Sequence, residues 1–150
     1  MRSLGDLQLL DLYKVAFLCS RKCPESAMLN SYRWAEAQRE QGVCVISGYH
    51  SPVEKGVLCR LLLGSQPIII ALAQGLKKLD PAWELPIAAG RLLVVTRYAD
   101  SVSHADEAKC FQRNRMMMEL ADEVVIAHVS AGGSLERLSS DYLGKKISRL

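Results

Sequence analysis

Pro67-Ile68-Ile69-Ile70-Ala71-Leu72-Ala73 is the stretch on which the fold turns. Three consecutive isoleucines followed by Ala-Leu-Ala show no polar alternation, and the run has the length of a strand rather than of a helix. A strand with no solvent face belongs in a parallel sheet covered by helices on both sides. Four more runs of this kind lie outward from it, at residues 15–19, 43–46, 92–96 and 124–129. Helical patterns separate them. Between the first two runs, residues 24–41 place Met28, Tyr32 and Ala35 on one face, with Pro24 suited to the first turn and Gly42 to the stop. Residues 51–63 align Val53, Val57 and Leu61, with Ser51 as cap, Pro52 at the first helical position and Gly64 at the end. A one- or two-turn helix is predicted at 83–89, a longer one at 106–120 and a last one at 134–143. This alternation predicts an α/β fold: right-handed crossovers and a mostly parallel sheet of about five strands, in three layers.

The chain has 150 residues, 49% of them hydrophobic and 23% charged, the values of one globular domain spanning 1–150, with residues 1–12 as an N-terminal extension. No apolar run approaches the 18 or more residues of a membrane helix. Asp6, Asp11 and Lys14 interrupt the only apolar stretch near the start, so neither a signal peptide nor a membrane partner is expected. Nineteen basic and sixteen acidic residues give +3 without a basic block, so net charge alone argues for no polyanion partner. Five cysteines are an odd number, several of them in apolar segments, which fits a reducing cytoplasm. Cys19 and Cys23 have no second Cys or His pair nearby to complete a zinc site, and no metal is expected.

Ligands of an open parallel sheet bind outside the carboxyl ends of its strands. Those edges read Ser20-Arg21-Lys22, Ser47-Gly48-Tyr49-His50-Ser51, Gln74-Gly75, Thr96-Arg97 and Ser130-Ala131-Gly132-Gly133-Ser134. Small residues and helix N-termini on one edge suit a phosphate, although Gly and Ser at such turns also serve capping alone. No GxxxxGK[ST], GxGxxG or GxSxG sequence is present, which sets aside P-loop, dinucleotide and serine-hydrolase chemistry. His50 falls at a helix start beside this edge, His104 in the loop at 97–105, the longest candidate for a mobile or binding segment, and His128 inside the fifth run. Arg113-Asn114-Arg115 groups two guanidiniums and an amide on one helix. Adjacent helical positions diverge by about 100°, so one arginine can face the ligand while the other pairs with an acid. Tyr49, Trp83 and Tyr98 are the aromatic candidates for base stacking.

Taken in order, Ser20-Arg21, Ser47-Gly48, Gly64, residues 68–72 with Gly75, Gly90-Arg91-Leu92-Leu93, Arg113-Asn114-Arg115-Met116, residues 124–126 and Gly133-Ser134-Leu135 resemble the Rossmann-like domain of the DNA-processing protein A (DprA/Smf) family. That family sits in a wider superfamily with the Lonely-guy phosphoribohydrolases. The resemblance implies a three-layer Rossmann-like fold that binds a nucleotide or single-stranded nucleic acid. Its phosphate-binding edge would be formed by Ser20, Arg21, Ser47, Gly48, Arg113, Asn114, Gly133 and Ser134, with Tyr49, His50 and Gly132 beside them. No cofactor is implied beyond a nucleotide ligand.

Two departures bear on function. Tyr49-His50-Ser51-Pro52-Val53-Glu54 replaces the usual ARGID, and no Pro precedes Arg113-Asn114-Arg115 in the manner of FP-x-RNR. The alternative is a Lonely-guy-like hydrolase of the N-glycosidic bond of a nucleoside monophosphate, with Glu54 or Glu136 as the working carboxylate. Aligning the Lonely-guy PGGxGTxxE on Gly133-Ser134 puts Arg137 at the catalytic Glu and Glu136 one residue away, which favours binding over catalysis. Family members usually carry further domains around this core. The length therefore predicts a stand-alone core that self-associates as a dimer or higher homo-oligomer.

Overall fold

The computed structural model describes residues 1–140 and 144–150. Its sheet has seven strands in the order β1-β5-β4-β3-β2-β6-β7. The five apolar runs supply the centre: β2 (Lys14–Leu18), β3 (Cys44–Ser47), β4 (Ile68–Leu72), β5 (Leu92–Thr96) and β6 (Glu123–Ile126), all parallel. The edges add two strands to the five expected. β1 (Arg2–Leu4) runs antiparallel to β5, so part of the supposed N-terminal extension belongs to the sheet. β7 (Lys146–Arg149) runs parallel to β6. Both are three or four residues long and half exposed, so neither shows the continuous apolar run that marks the inner strands.

The pleat divides the core in two. Ile68, Ile70, Leu92 and Val94 face one layer, where α1 (Glu25–Gln41), α2 (Pro52–Leu62) and the short α3 (Glu84–Ala88) pack. Ile69, Ala71, Leu93 and Val95 face the other, covered by α4 (Glu107–Leu120) and α5 (Ser134–Ser140). Met116, Met117 and Met118 of α4 are all buried there. The far end of the last expected helix lies outside the described residues.

Local signals end the helices as the sequence indicates. Gly42 takes φ 73° after α1, and the Val43 amide donates to the Gln38 carbonyl at 3.1 Å. Ser51 and Glu54 form a reciprocal capping box on α2, with Pro52 at its first position. The loop after β5 is tied down: the Gly75 amide donates to the Val102 carbonyl at 2.9 Å, the Leu76 amide to Asp100 Oδ1 at 3.3 Å, and Arg2 pairs with Asp100 at 2.7 Å. A Cβ at Gly75 would collide with the backbone of Ala99 and Asp100, so the tight approach of that loop requires glycine.

Candidate functional site

In this strand order the chain reverses its winding at β2, whose two neighbours are β3 and β6. Between the carboxyl ends of β2 and β6 lies the switch point at which open α/β sheets bind ligands. A cleft of about 270 Å3 opens there. The two loops that frame it are stitched together. The Ser20 amide donates to the His128 carbonyl at 2.9 Å, the Ser130 amide to Ser20 Oγ at 2.9 Å, and Ser130 Oγ to the Lys22 carbonyl at 3.2 Å. His128 thus lies beyond β6, which ends at Ile126, and not inside a strand.

The cleft floor is an ion pair. Glu54 and Arg113 meet at 3.2 Å with side chains only 6% and 4% exposed. The α2 cap orients the acid: Glu54 Oε1 accepts from the Ser51 amide at 2.9 Å, the Ser51 hydroxyl at 3.1 Å and the His50 amide at 3.3 Å, which leaves Oε2 for the guanidinium. Arg113 Nε donates to Asn114 Oδ1 at 2.9 Å. A buried ion pair persists where its remaining hydrogen-bonding capacity is met, and here the capping box meets it. Gly48 lies directly beneath. A Cβ there would strike both Arg113 and Glu54, so the Ser47-Gly48 pair makes room for the bridge. Ser47 itself is fully buried and donates to the Gly48 carbonyl at 3.1 Å. Arg115 turns away toward Glu119 at 3.6 Å, so the two arginines do diverge, each with an acid.

Of the residues read from the sequence, Ser20, Arg21, His50, Arg113 and Asn114 converge on this cleft, joined by Gly133 and Ser134 at the start of α5. Gly132 stands apart at φ 72°, its amide donating to Glu136 at 2.6 Å. Tyr49 faces an adjoining cleft of about 230 Å3 over β3 and β4, edge-on to Trp83 at 4.8 Å. Tyr98 borders a third. The aromatic ring in the main cleft is instead Phe111, and Lys22, Glu107 and Cys110 join it there. Glu107 and Cys110 precede Phe111 by four positions and one; all three project from the first turns of α4, a spacing visible only once that helix is placed against β6.

Charge in the cleft is uneven. Among the described residues, Arg21 and Lys22 have no side-chain partner, whereas both carboxylates of the hydrolase reading are engaged: Glu54 by Arg113, Glu136 by the Gly132 amide. Burial pushes the Cys19 and Cys110 thiols up, which keeps them protonated and non-nucleophilic near neutrality. Among the described residues no cluster of His, Cys, Asp and Glu could hold a metal ion.

Burial, and then the charge of Arg21, hold His50 below its usual 6.5. The folded chain therefore resists protonation that the unfolded chain accepts. Stability from this group is complete above about pH 6.5 and declines as pH falls below that value. Thermal unfolding from pH 7.5 to 5 should show a steeper loss in the native chain than in His50→Asn; parallel curves would remove the effect.

A family model for DNA recombination-mediator protein A matches residues 2–141. The chain belongs to that family. Its fold is that of two solved family structures, both at TM-score 0.76. DNA processing protein A from Helicobacter pylori is 21% identical, with 98% of this chain and 69% of that one covered. DprA from Streptococcus pneumoniae is 19% identical over 98% of this chain and 53% of its own, so this chain spans about half the length of the pneumococcal DprA. The molybdenum cofactor carrier protein from Chlamydomonas reinhardtii has the fold more distantly, at 10% identity, TM-score 0.59 and coverage of 91% and 75%. Among curated proteins no relative matches. In this member of the DprA family no helix among the described residues is long and apolar enough to cross a membrane.

Proposed function

We propose that this chain binds a nucleotide or single-stranded nucleic acid through phosphate held at the switch-point cleft. The observation that carries the reading is the pair of cations, Arg21 and Lys22, without a side-chain partner among the described residues, at the place where the sheet's winding reverses. Arg113 supports the site from below as the floor of the cleft, its charge already met by Glu54, while His50 supplies a cation when an anion raises its affinity for a proton. The H. pylori relative binds single-stranded DNA, which supports the nucleic-acid form of the reading. Self-association and a cytoplasmic setting belong to the same proposal. Leu63, just after α2, and Leu85 of α3 stand 79% and 83% exposed, and the odd cysteine count suits a reducing compartment. Native mass spectrometry reads both the assembly and any retained nucleotide.

Arg21→Ala tests the site. Removing a charge-assisted contact to phosphate should weaken binding of nucleoside monophosphates and of oligothymidylate by roughly tenfold or more in a direct titration. For the oligonucleotide it should also flatten the salt dependence by about 0.7 in log–log slope. Unchanged affinity for every probe rejects the cleft.

A further inference from the structure

At the carboxyl ends of β3 and β4 the rim opens again, into the cleft that Tyr49 faces. Its volume of about 230 Å3 falls short of the roughly 300–1,000 Å3 of a pocket that encloses a small molecule whole. It is not closed off from the main cleft either, since His50 and Arg113 line both. The second space is therefore an extension of the first, and it brings cations of its own. Arg21 and Lys22 line the main cleft; Lys55 and Lys78 line the extension.

Both of these lysines are exposed, and among the described residues no hydrogen bond or ion pair engages either ammonium. Lys55 stands 5.3 Å from the centre of the Tyr49 ring. Among the described residues of this lining Asp80 is the acid, and it is occupied: Oδ1 accepts from the Ala82 amide and Oδ2 from the Tyr49 hydroxyl, each at 2.9 Å. Arg113 is met by Glu54, so the balance of charge facing the extension is positive. Tyr49 is fixed by Asp80 and, edge-on, by the buried Trp83. A base laid against it meets a side chain already ordered, and stacking of this kind tolerates any base. A mononucleotide brings one phosphate and has no use for a second pair of cations. A strand brings another phosphate with each nucleotide.

Resting on the phosphate reading above, we propose that the cleft over β3 and β4 is a further subsite, which takes the adjoining nucleotide of a single strand with its phosphate between Lys55 and Lys78 and its base against Tyr49. The strand, rather than the free nucleotide, is then the ligand that fills the rim.

Direct titration of the full chain with thymidine 5′-monophosphate, with 5′-phosphorylated dithymidylate and with a longer oligothymidylate tests this. Dithymidylate should bind about tenfold tighter than the monophosphate, the worth of one more charge-assisted hydrogen bond. The double variant Lys55→Ala with Lys78→Ala should erase that gain and leave the affinity for the monophosphate as it was. It should also flatten the salt dependence for the longer oligonucleotide by about 0.7 in log–log slope, the share of one phosphate. Lys146→Ala is the control: that residue opens β7 at the opposite end of the sheet, and its loss should change none of these affinities. Equal binding of monophosphate and dithymidylate by the native chain, a gain that survives the double variant, or an equal loss of gain in Lys146→Ala overturns the subsite. Arg21→Ala separates the two readings, because it should weaken both probes and preserve their ratio. If it weakens neither, the phosphate reading fails whatever the lysines do. Absence of binding by every probe overturns both.

Discussion

Replacing Arg113 by alanine lowers the unfolding free energy by about 3–5 kcal/mol, the cost of leaving one member of a buried ion pair without its partner. For a domain of this size that is a fall of roughly 6–20 °C in the thermal midpoint. Both side chains are almost wholly enclosed, so solvent does not screen the orphaned carboxylate. Glu54→Ala should cost as much or more, since it removes the reciprocal cap of α2 along with the charge. The double variant Glu54→Leu with Arg113→Met leaves no uncompensated charge and should be more stable than either single alanine variant. Chemical denaturation of the four proteins checks this. A double variant less stable than both singles would show that shape, not charge, dominates the floor of the cleft.

Gly48→Ala carries the second large effect, about 1–3 kcal/mol in the native background, because its new methyl must displace the same bridge. Its cost depends on what lies above it. In an Arg113→Ala background the guanidinium is gone and the Glu54 carboxylate, which the methyl also meets, is no longer held in place by it, so Gly48→Ala should cost less there, with a coupling of roughly 0.5–3 kcal/mol between the two positions. Additive losses would mean that the glycine is required by Glu54 or by its own backbone and not by the arginine. Its φ is not in the left-handed region, which already points to the side chains as the reason.

These two positions also show what the sequence made legible. Residues 67–72 and the four similar runs identified the inner sheet because burial on both faces leaves a local mark, an apolar run without alternation. β1 and β7 left none: Arg2–Leu4 and Lys146–Arg149 are edge strands with one apolar side chain apiece or little more, and only pairing makes them strands. Ser51, Pro52 and Gly42 act within a few residues of themselves, and their roles as helix signals followed directly. The partner of Arg113 is different in kind. The sequence shows two arginines and an asparagine; that one arginine turns inward onto an acid from α2 depends on how two layers meet across the sheet edge. Phe111 escaped for the same reason, while Tyr49, Trp83 and Tyr98 lie along neighbouring clefts of that edge.

The edge strands have a practical consequence. β1 runs opposite to β5, with Arg2 beside Thr96, so Met1 emerges at the end of the sheet where the parallel strands finish. β7 runs with β6, with Arg149 beside Ile126, so Leu150 emerges at that same end. An affinity tag fused to either terminus hangs over the rim that carries the clefts, on opposite flanks of it. Titrations with anionic ligands should therefore use protein from which a histidine tag has been cleaved, since a tethered string of imidazoles beside Arg21 would compete for, or supply, the charge being measured.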